Sequence, residues 1–344
     1  MKKILVTGGT GFLGRRLLEK LAARGDVPVR AMVRDPARAD FSRNVEVVRG
    51  DMLEPMTIDA ALEGVSRVFH CASLVKVWVK DEALFDRVNV EGFAHLLRYA
   101  RARGVERVLY TSSFMALGPT DGKTADEETP YPSEHRPRGG YERTKFIAEA
   151  LARQAVRDGL DLRSVYPGVI YGPGPMTDAN LLGGILLRFF RKKLPGIVGP
   201  GDRRWCCAYV EDVVEGMLRA MERGAAGGRY ILGGENRTLA EVFRLVKAWT
   251  GRKPPRRIPY FLADLVGYAK WARAEIFKKP PDLVPSVVEI FRHEWAYESA
   301  RARRELDYRV TPFEEGLRRT LEWLRDAHDL PFSLAPAAPS SQSR

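Results

Sequence analysis

The sequence predicts an α/β protein built on a doubly wound parallel sheet, with a smaller, mainly helical lobe toward its C-terminus. Three observations predict it. A short apolar run opens the chain and passes straight into a glycine-rich turn and a helical pattern. Across the first half, further short apolar runs alternate with helical stretches, the rhythm of successive β-α-β units. In the second half that rhythm yields to Pro- and Gly-rich stretches at 173–175, 195–201 and 254–259, which mark loops between elements.

The elements follow in order. Lys3 to Thr7 predicts a first strand, since its apolar run is broken too early, at Gly8, to be a signal peptide. A helix is predicted from about Gly11 to Arg24. Strands are predicted at 29–33, 45–49 and 68–72, then a helix over 83–103 and a strand over 107–112. A long helix at 141–158 and a strand at 161–166 complete the series. Residues 1–172 read as a dinucleotide-binding domain, rejoined by later elements near 203–233. Residues 173–330 read mostly as a substrate lobe. Residues 331–344, rich in Ala, Pro and Ser, read as a disordered tail.

Composition narrows the function. The chain has 344 residues, 45% of them hydrophobic, which is enough for a large core. No apolar run reaches the roughly 18 residues of a membrane span, so a cytoplasmic protein is expected. Cys71, Cys206 and Cys207 are odd in number and poorly spaced for a disulfide framework or a metal site, and no metal is expected. The formal charge of +12 comes with no nucleic-acid-binding motif, which leaves an anionic membrane surface or an anionic cofactor and substrate, and much of the arginine reads as the solvated face of amphipathic helices. Two segments, Leu181 to Lys193 and Phe261 to Lys279, interleave apolar and basic residues. The first reading makes them lobe helices with a basic outer face. The second gives them peripheral contact with a membrane interface.

The glycines at 8, 11 and 14 stand between the first strand and the first helix, in Gly8-Gly9-Thr10-Gly11-Phe12-Leu13-Gly14. Gly8 permits a tight turn, Gly11 a close approach of backbone to a pyrophosphate, and Gly14 tight helix packing. The helix N-terminus then faces the phosphates. After the second strand, an acidic residue would bind the ribose of NAD, whereas an arginine accommodates the 2′-phosphate of NADP. Arg34 stands there, with Arg38 close behind, so NADP(H) is favoured over NAD(H). Asp35 keeps an NAD reading open.

Tyr141 and Lys145 are four apart in a helical segment and share one face. A free tyrosine ionises near pH 10, and a neighbouring ammonium is expected to lower that value. Such a pair can exchange a proton with a carbonyl or alcohol oxygen. Upstream, Tyr110-Thr111-Ser112-Ser113 ends a strand, where a hydroxyl can orient the same oxygen.

These features, with Asn89-Val90-Glu91-Gly92, Pro167-Gly168-Val169-Ile170 and Tyr209-Val210-Glu211-Asp212-Val213, resemble the extended short-chain dehydrogenase/reductase superfamily, also called the NAD-dependent epimerase/dehydratase superfamily. The resemblance covers about residues 1 to 325 and implies a Rossmann fold. It implies Ser113, Tyr141 and Lys145 as a catalytic triad, with Ser112 as the fallback serine. It gives Asp51 and Met52 as adenine contacts and Ala72 and Ser73 as cofactor-loop residues. Pro167, Gly168, Val169 and Ile170 would line the nicotinamide.

The dehydratase branch places an Asp-Glu pair after the catalytic hydroxyl residue, but here Phe114-Met115-Ala116 follows. Sugar-nucleotide enzymes usually carry an arginine where this chain has Trp205, one position from Arg204. Val29 to Pro36, Leu74 to Trp78 and Arg229 to Asn236 are similar to bacterial dihydroflavonol-reductase-like proteins. Residues 290–324 are similar to 3β-hydroxysteroid dehydrogenase-like proteins. The resemblance therefore implies an oxidoreductase that interconverts a ketone and a secondary alcohol on a small or lipid-like apolar substrate. The alternatives are a nucleotide-sugar epimerase and a non-catalytic dinucleotide sensor or scaffold. By analogy with the superfamily, a homodimer is expected.

Overall fold

The computed structural model describes residues 2–335, except the side chain of Arg38. Strands β1 (Lys3–Thr7), β2 (Val29–Val33), β3 (Val45–Arg49), β4 (Val65–His70), β5 (Arg107–Thr111) and β6 (Leu162–Pro167) form a parallel sheet. The chain then runs through β7 (Val169–Tyr171), β8 (Ile197–Val198) and β9 (Arg204–Tyr209) before β10 (Arg229–Leu232) returns to the sheet beside β6. The strand order is β3-β2-β1-β4-β5-β6-β10. Successive strands depart in opposite directions from β1. This leaves a crevice between β1 and β4 at the carboxyl ends, where ligands bind in such sheets. Every position of β2 is buried, and so is all of β1 after Lys3, as a sheet covered on both faces requires.

Helices α1 (Phe12–Arg24), α2 (Pro55–Ala61), α3 (Ala83–Asp86), α4 (Gly92–Ala102) and α5 (Gly140–Arg157) alternate with these strands. Helix α6 (Leu181–Phe190) belongs to the lobe, and α7 (Val210–Arg223) returns to the sheet. The lobe continues with β11 (Asn236–Thr238), α8 (Leu239–Thr250), β12 (Arg257–Ile258), α9 (Tyr260–Phe277) and α10 (Pro285–Arg292). Helices α11 (Ala300–Leu306) and α12 (Phe313–Ala327) follow as the last helices of the described residues. One face of the main sheet packs against α1, α7 and α11, the other against α2, α4 and α5. A separate core joins β7, β9 and β11 to α6, α8 and α12.

The architecture is the predicted one, with local differences. The fourth strand starts and ends earlier than 68–72, because Cys71 and Ala72 must turn away where they abut Gly8. The helix expected over 83–103 is interrupted by a π-turn at Arg87–Glu91, which carries Asn89. Helix α2 was not foreseen; it is short and begins at a proline, Pro55. Of the two basic segments, the first is a core element, since Leu182, Leu186, Leu187, Phe189 and Phe190 are all buried.

Residues 331–335, expected to be disordered, are packed. The Phe332 ring stacks on Phe190 at 4.1 Å between centroids, and Ala335 N–H donates to Trp249 O at 2.8 Å. An aromatic ring in the polar tail gives it apolar surface to bury. The remainder of the tail, 336–344, lies outside the described residues.

Candidate active site

The glycine turn is shaped by what surrounds it. Gly8 has φ +72°, and a Cβ there would lie 2.6 Å from Ala72 N. A Cβ on Gly14 would lie 2.3 Å from Gly8 O, so this glycine lets the helix sit on the turn itself. Helix α1 follows Gly11 with no side-chain cap and with no acidic residue in its first turn. Its first N–H groups are therefore left to an anion, which fits the phosphates of a dinucleotide. Thr10 is exposed at the tip of the turn, while Phe12, Leu13 and Gly14 are buried.

The other sequence-predicted cofactor residues follow the carboxyl ends of neighbouring strands. Arg34 is exposed just past β2. Asp35 accepts from Ala37 N–H at 3.1 Å and so caps the turn that follows. Asp51 accepts from Leu53 N–H, and Met52 is buried beneath Gly92, where a Cβ would meet it at 2.8 Å. Ala72 N–H donates to Thr7 Oγ1 at 3.2 Å. The Arg38 side chain lies outside what the structure describes.

Ser113, Tyr141 and Lys145 meet in one cavity of about 150 Å³ at the end of the crevice. Leu13, Ser73 and residues 167–170 share its wall. Gly8, Thr10, Gly11, Arg34, Asp51 and Met52 do not line it; they lie along the strand ends that lead to it. Ser113 Oγ accepts from Met115 N–H at 3.3 Å, and its hydroxyl faces the cavity together with the Tyr141 phenol. Ser112 also lines the cavity, but its buried Oγ has no hydrogen-bond partner among the described residues. Lys145 Nζ donates to Thr111 O at 2.8 Å and lies 5.9 Å from the centre of the Tyr141 ring.

The electrostatics depart from the sequence expectation. Burial pushes the Tyr141 phenol up to about 12, with the Ser113 hydroxyl pulling the other way. Burial lowers the Lys145 ammonium to about 7, against the raising influence of Cys71 and Glu149. Desolvation thus dominates, and the lysine that was expected to lower the tyrosine directs its ammonium to the Thr111 carbonyl. His70 is lowered to about 3 by burial and then by the Lys145 charge. It is held by Thr7 Oγ1 at 2.8 Å.

Residues that sequence reasoning missed hold this constellation in place. Asn89 was noted as part of a motif but given no role. Its Oδ1 accepts from Leu74 N–H at 2.7 Å, and its Nδ2 donates to Thr144 Oγ1 at 3.0 Å. It therefore ties the loop after β4 to the turn of α5 between Tyr141 and Lys145. Arg143 pairs through both guanidinium arms with Asp86, at 2.7 and 2.6 Å. Gly140 packs so closely on Phe85 that a Cβ would meet its ring at 2.3 Å. One turn beyond Lys145, buried Glu149 accepts from Tyr166 OH at 2.6 Å, anchoring α5 to β6. The Asn-x-x-Gly spacing was the available signal for Asn89. The Asp86–Arg143 pair, 57 residues apart, gave none.

The cavity is mostly apolar, walled by Leu13, Val75, Phe114, Met115, Val169 and Leu181 among others. Its carboxylate, Asp178, pairs with Lys76 at 2.6 Å. Lys145 is its one cation among the described residues. Arg204 is committed elsewhere, with both Nε and Nη2 on Glu294 at 3.0 and 2.8 Å, and this partner lowers the Glu294 carboxyl to about 2. No cluster of metal-ligating side chains occurs among the described residues.

Residues 4–233 match the model of the NAD dependent epimerase/dehydratase family. The chain belongs to this family. It is 35% identical over 330 residues to sterol demethylase protein B of Methylococcus capsulatus, covering 94% of this chain and 98% of that one. It is 32% identical to a putative dihydroflavonol 4-reductase of Synechocystis, covering 93% and 94%. The structure of Thermus thermophilus UDP-glucose 4-epimerase in complex with NAD superposes with a TM-score of 0.73 at 26% identity, covering 94% and 99%. The family is one of dinucleotide-dependent enzymes, with oxidoreductases of CH–OH groups among the chain's relatives. No helix among the described residues is long and apolar enough to cross a membrane.

Proposed function

We propose that this family member is an NADP(H)-dependent oxidoreductase that interconverts a ketone and a secondary alcohol on an apolar substrate. The observation that carries the reading is that the Tyr141 phenol, Ser113 and Lys145 share the wall of one apolar cavity, with Lys145 Nζ 5.9 Å from the Tyr141 ring. A phenol held at about 12 is protonated at neutral pH, the form needed to reduce a ketone. When bound, the nicotinamide supplies hydride to the carbonyl carbon. Tyr141 donates its proton as the carbonyl oxygen becomes an alkoxide, and Ser113 Oγ holds that oxygen. The Lys145 ammonium stabilises the phenolate that donation leaves behind. The apolar wall keeps water away, which strengthens each of these interactions.

Three further observations support the parts of this reading. Exposed Arg34 stands at the end of β2, while the Asp35 carboxylate is engaged in its own turn. Among the described residues the cavity carries no arginine in its walls, and Arg204 is paired to Glu294, which disfavours a sugar-nucleotide pyrophosphate. Two relatives are named for dihydroflavonol and sterol chemistry, both concerned with oxygen-bearing ring compounds.

The test is calorimetric titration with NADPH and NADH on the wild type and Arg34→Ala, followed by turnover on a panel of apolar cyclic ketones. NADPH preference lost in the variant, with ketone-dependent NADPH oxidation, is the expected result. Conversion of UDP-glucose with no net change in cofactor would instead make the chain an epimerase.

A further inference from the structure

Helix α9 presents its side chains in reverse. The residues it turns toward the protein are small: Ala263, Gly267 and Ala274 are buried. Large apolar side chains face outward, with Ile276 73%, Phe261 70%, Leu265 67% and Phe277 63% exposed. At 100° per residue, Phe261, Leu262, Leu265, Val266, Tyr268 and Ile276 fall on one side, interrupted there by Arg273 alone among charged residues. The strip runs along most of an 18-residue helix that is about 27 Å long at the helical rise of about 1.5 Å. An apolar surface of that size marks an interface rather than ordinary scatter.

Charge decides what covers it. Lys253, Arg256 and Arg257 precede the helix, and Lys278 and Lys279 end it, all of them exposed. Among the described residues, Lys253, Arg256, Arg257 and Lys279 form no ion pair. A second copy of this chain would bring the same cations and another +12 charge against them. An anionic lipid surface accepts both the apolar strip and its cationic ends. The helix is also joined to the candidate active site. Trp78 Nε1 donates to Glu275 Oε1 at 2.9 Å, and the same loop lines the cavity through Ser73 and Val75.

We infer that α9 docks the protein, in the plane of the interface, on an anionic lipid bilayer. The docking rests on this surface and not on the reaction proposed above. Its consequence does rest on that reading: an apolar substrate dissolved in the lipid would reach the cavity beside the 73–78 loop.

Co-sedimentation of the full chain with vesicles tests it without any turnover. Mixed phosphatidylcholine–phosphatidylglycerol vesicles should bind the protein, and pure phosphatidylcholine should bind it weakly. Leu265→Glu with Ile276→Glu should weaken binding by about tenfold or more, with unchanged circular dichroism. Lys278→Glu with Lys279→Glu should weaken it and flatten its salt dependence. Failure to sediment with either vesicle, or sedimentation untouched by the Glu variants, overturns the inference. So does a wild-type dimer, seen by sedimentation velocity, that the Leu265→Glu/Ile276→Glu variant dissociates while vesicle binding is absent.

Discussion

In α1, Leu17, Leu18 and Leu21 are buried against the sheet, while Arg16, Glu19 and Lys20 reach water. In α9 the small residues are buried and Phe261, Leu265 and Ile276 reach water. The two helices carry similar apolar side chains and use them oppositely. A periodic apolar pattern therefore says that a helix has an apolar face; it does not say what lies against that face. For α1 the partner is the sheet built from strands on either side of it in sequence. For α9 the chain supplies only a narrow seat, lined by Val198 and Val288, that alanines and a glycine fill.

The sharpest test of this division lies in the chemistry. Tyr141→Phe keeps the ring and removes the proton. Its kcat on a responsive ketone should fall by about 10³-fold, with NADPH affinity retained. Retained turnover would remove the tyrosine from the reaction and leave the N-terminal half a binding module. Next in size is Leu17→Ala, which removes a fully buried side chain of α1. Urea unfolding should show a loss of about 3 kcal/mol. A loss below about 1 kcal/mol would mean that the first helix leans on the sheet no more firmly than α9 leans on its seat.

Lys145→Met separates function from stability. In the unfolded chain the lysine ionises near its ordinary value of about 10.4. In the folded protein burial lowers it to about 7. Between those values the unfolded chain holds a proton that the folded one lacks, so wild-type stability rises with pH through that window. Below about 7 the full penalty of the buried ammonium remains. Methionine is neutral throughout. The variant should therefore gain about 2 kcal/mol at about pH 6, with the gain shrinking toward about pH 10, while turnover falls. A constant difference across that range would show that the ammonium is not desolvated.

Much of the first region was legible because its constraints are local. The glycine turn needs particular residues at fixed offsets, and Tyr141 and Lys145 need only one helical turn. Strands β1, β2 and β3 stand at the residues their apolar runs marked. What was not legible depends on distant chain. The turning of β4 at Cys71 is set by Gly8, and the π-turn brings Asn89 between the loop after β4 and helix α5. The raised tyrosine was missed because spacing shows the neighbouring lysine and not the burial that outweighs it. Helices α6 and α9 looked alike as basic and apolar mixtures. Only their neighbours distinguish a core helix from one with its apolar side in water.

The smallest effect sharpens the comparison most, because it uses the same substitution as the buried case. Leu265→Ala removes a side chain that is already 67% exposed and retains good helix propensity. Little apolar area returns to water on unfolding, so the term that makes Leu17→Ala costly is nearly absent. Stability by urea unfolding should change by no more than about 0.5 kcal/mol. Vesicle binding should nonetheless weaken, since the lost area is area the lipid would cover. A loss approaching that of Leu17→Ala would place Leu265 in contact with protein in solution. The apolar side of α9 would then be occupied by this chain or another copy of it, with no face left for a bilayer.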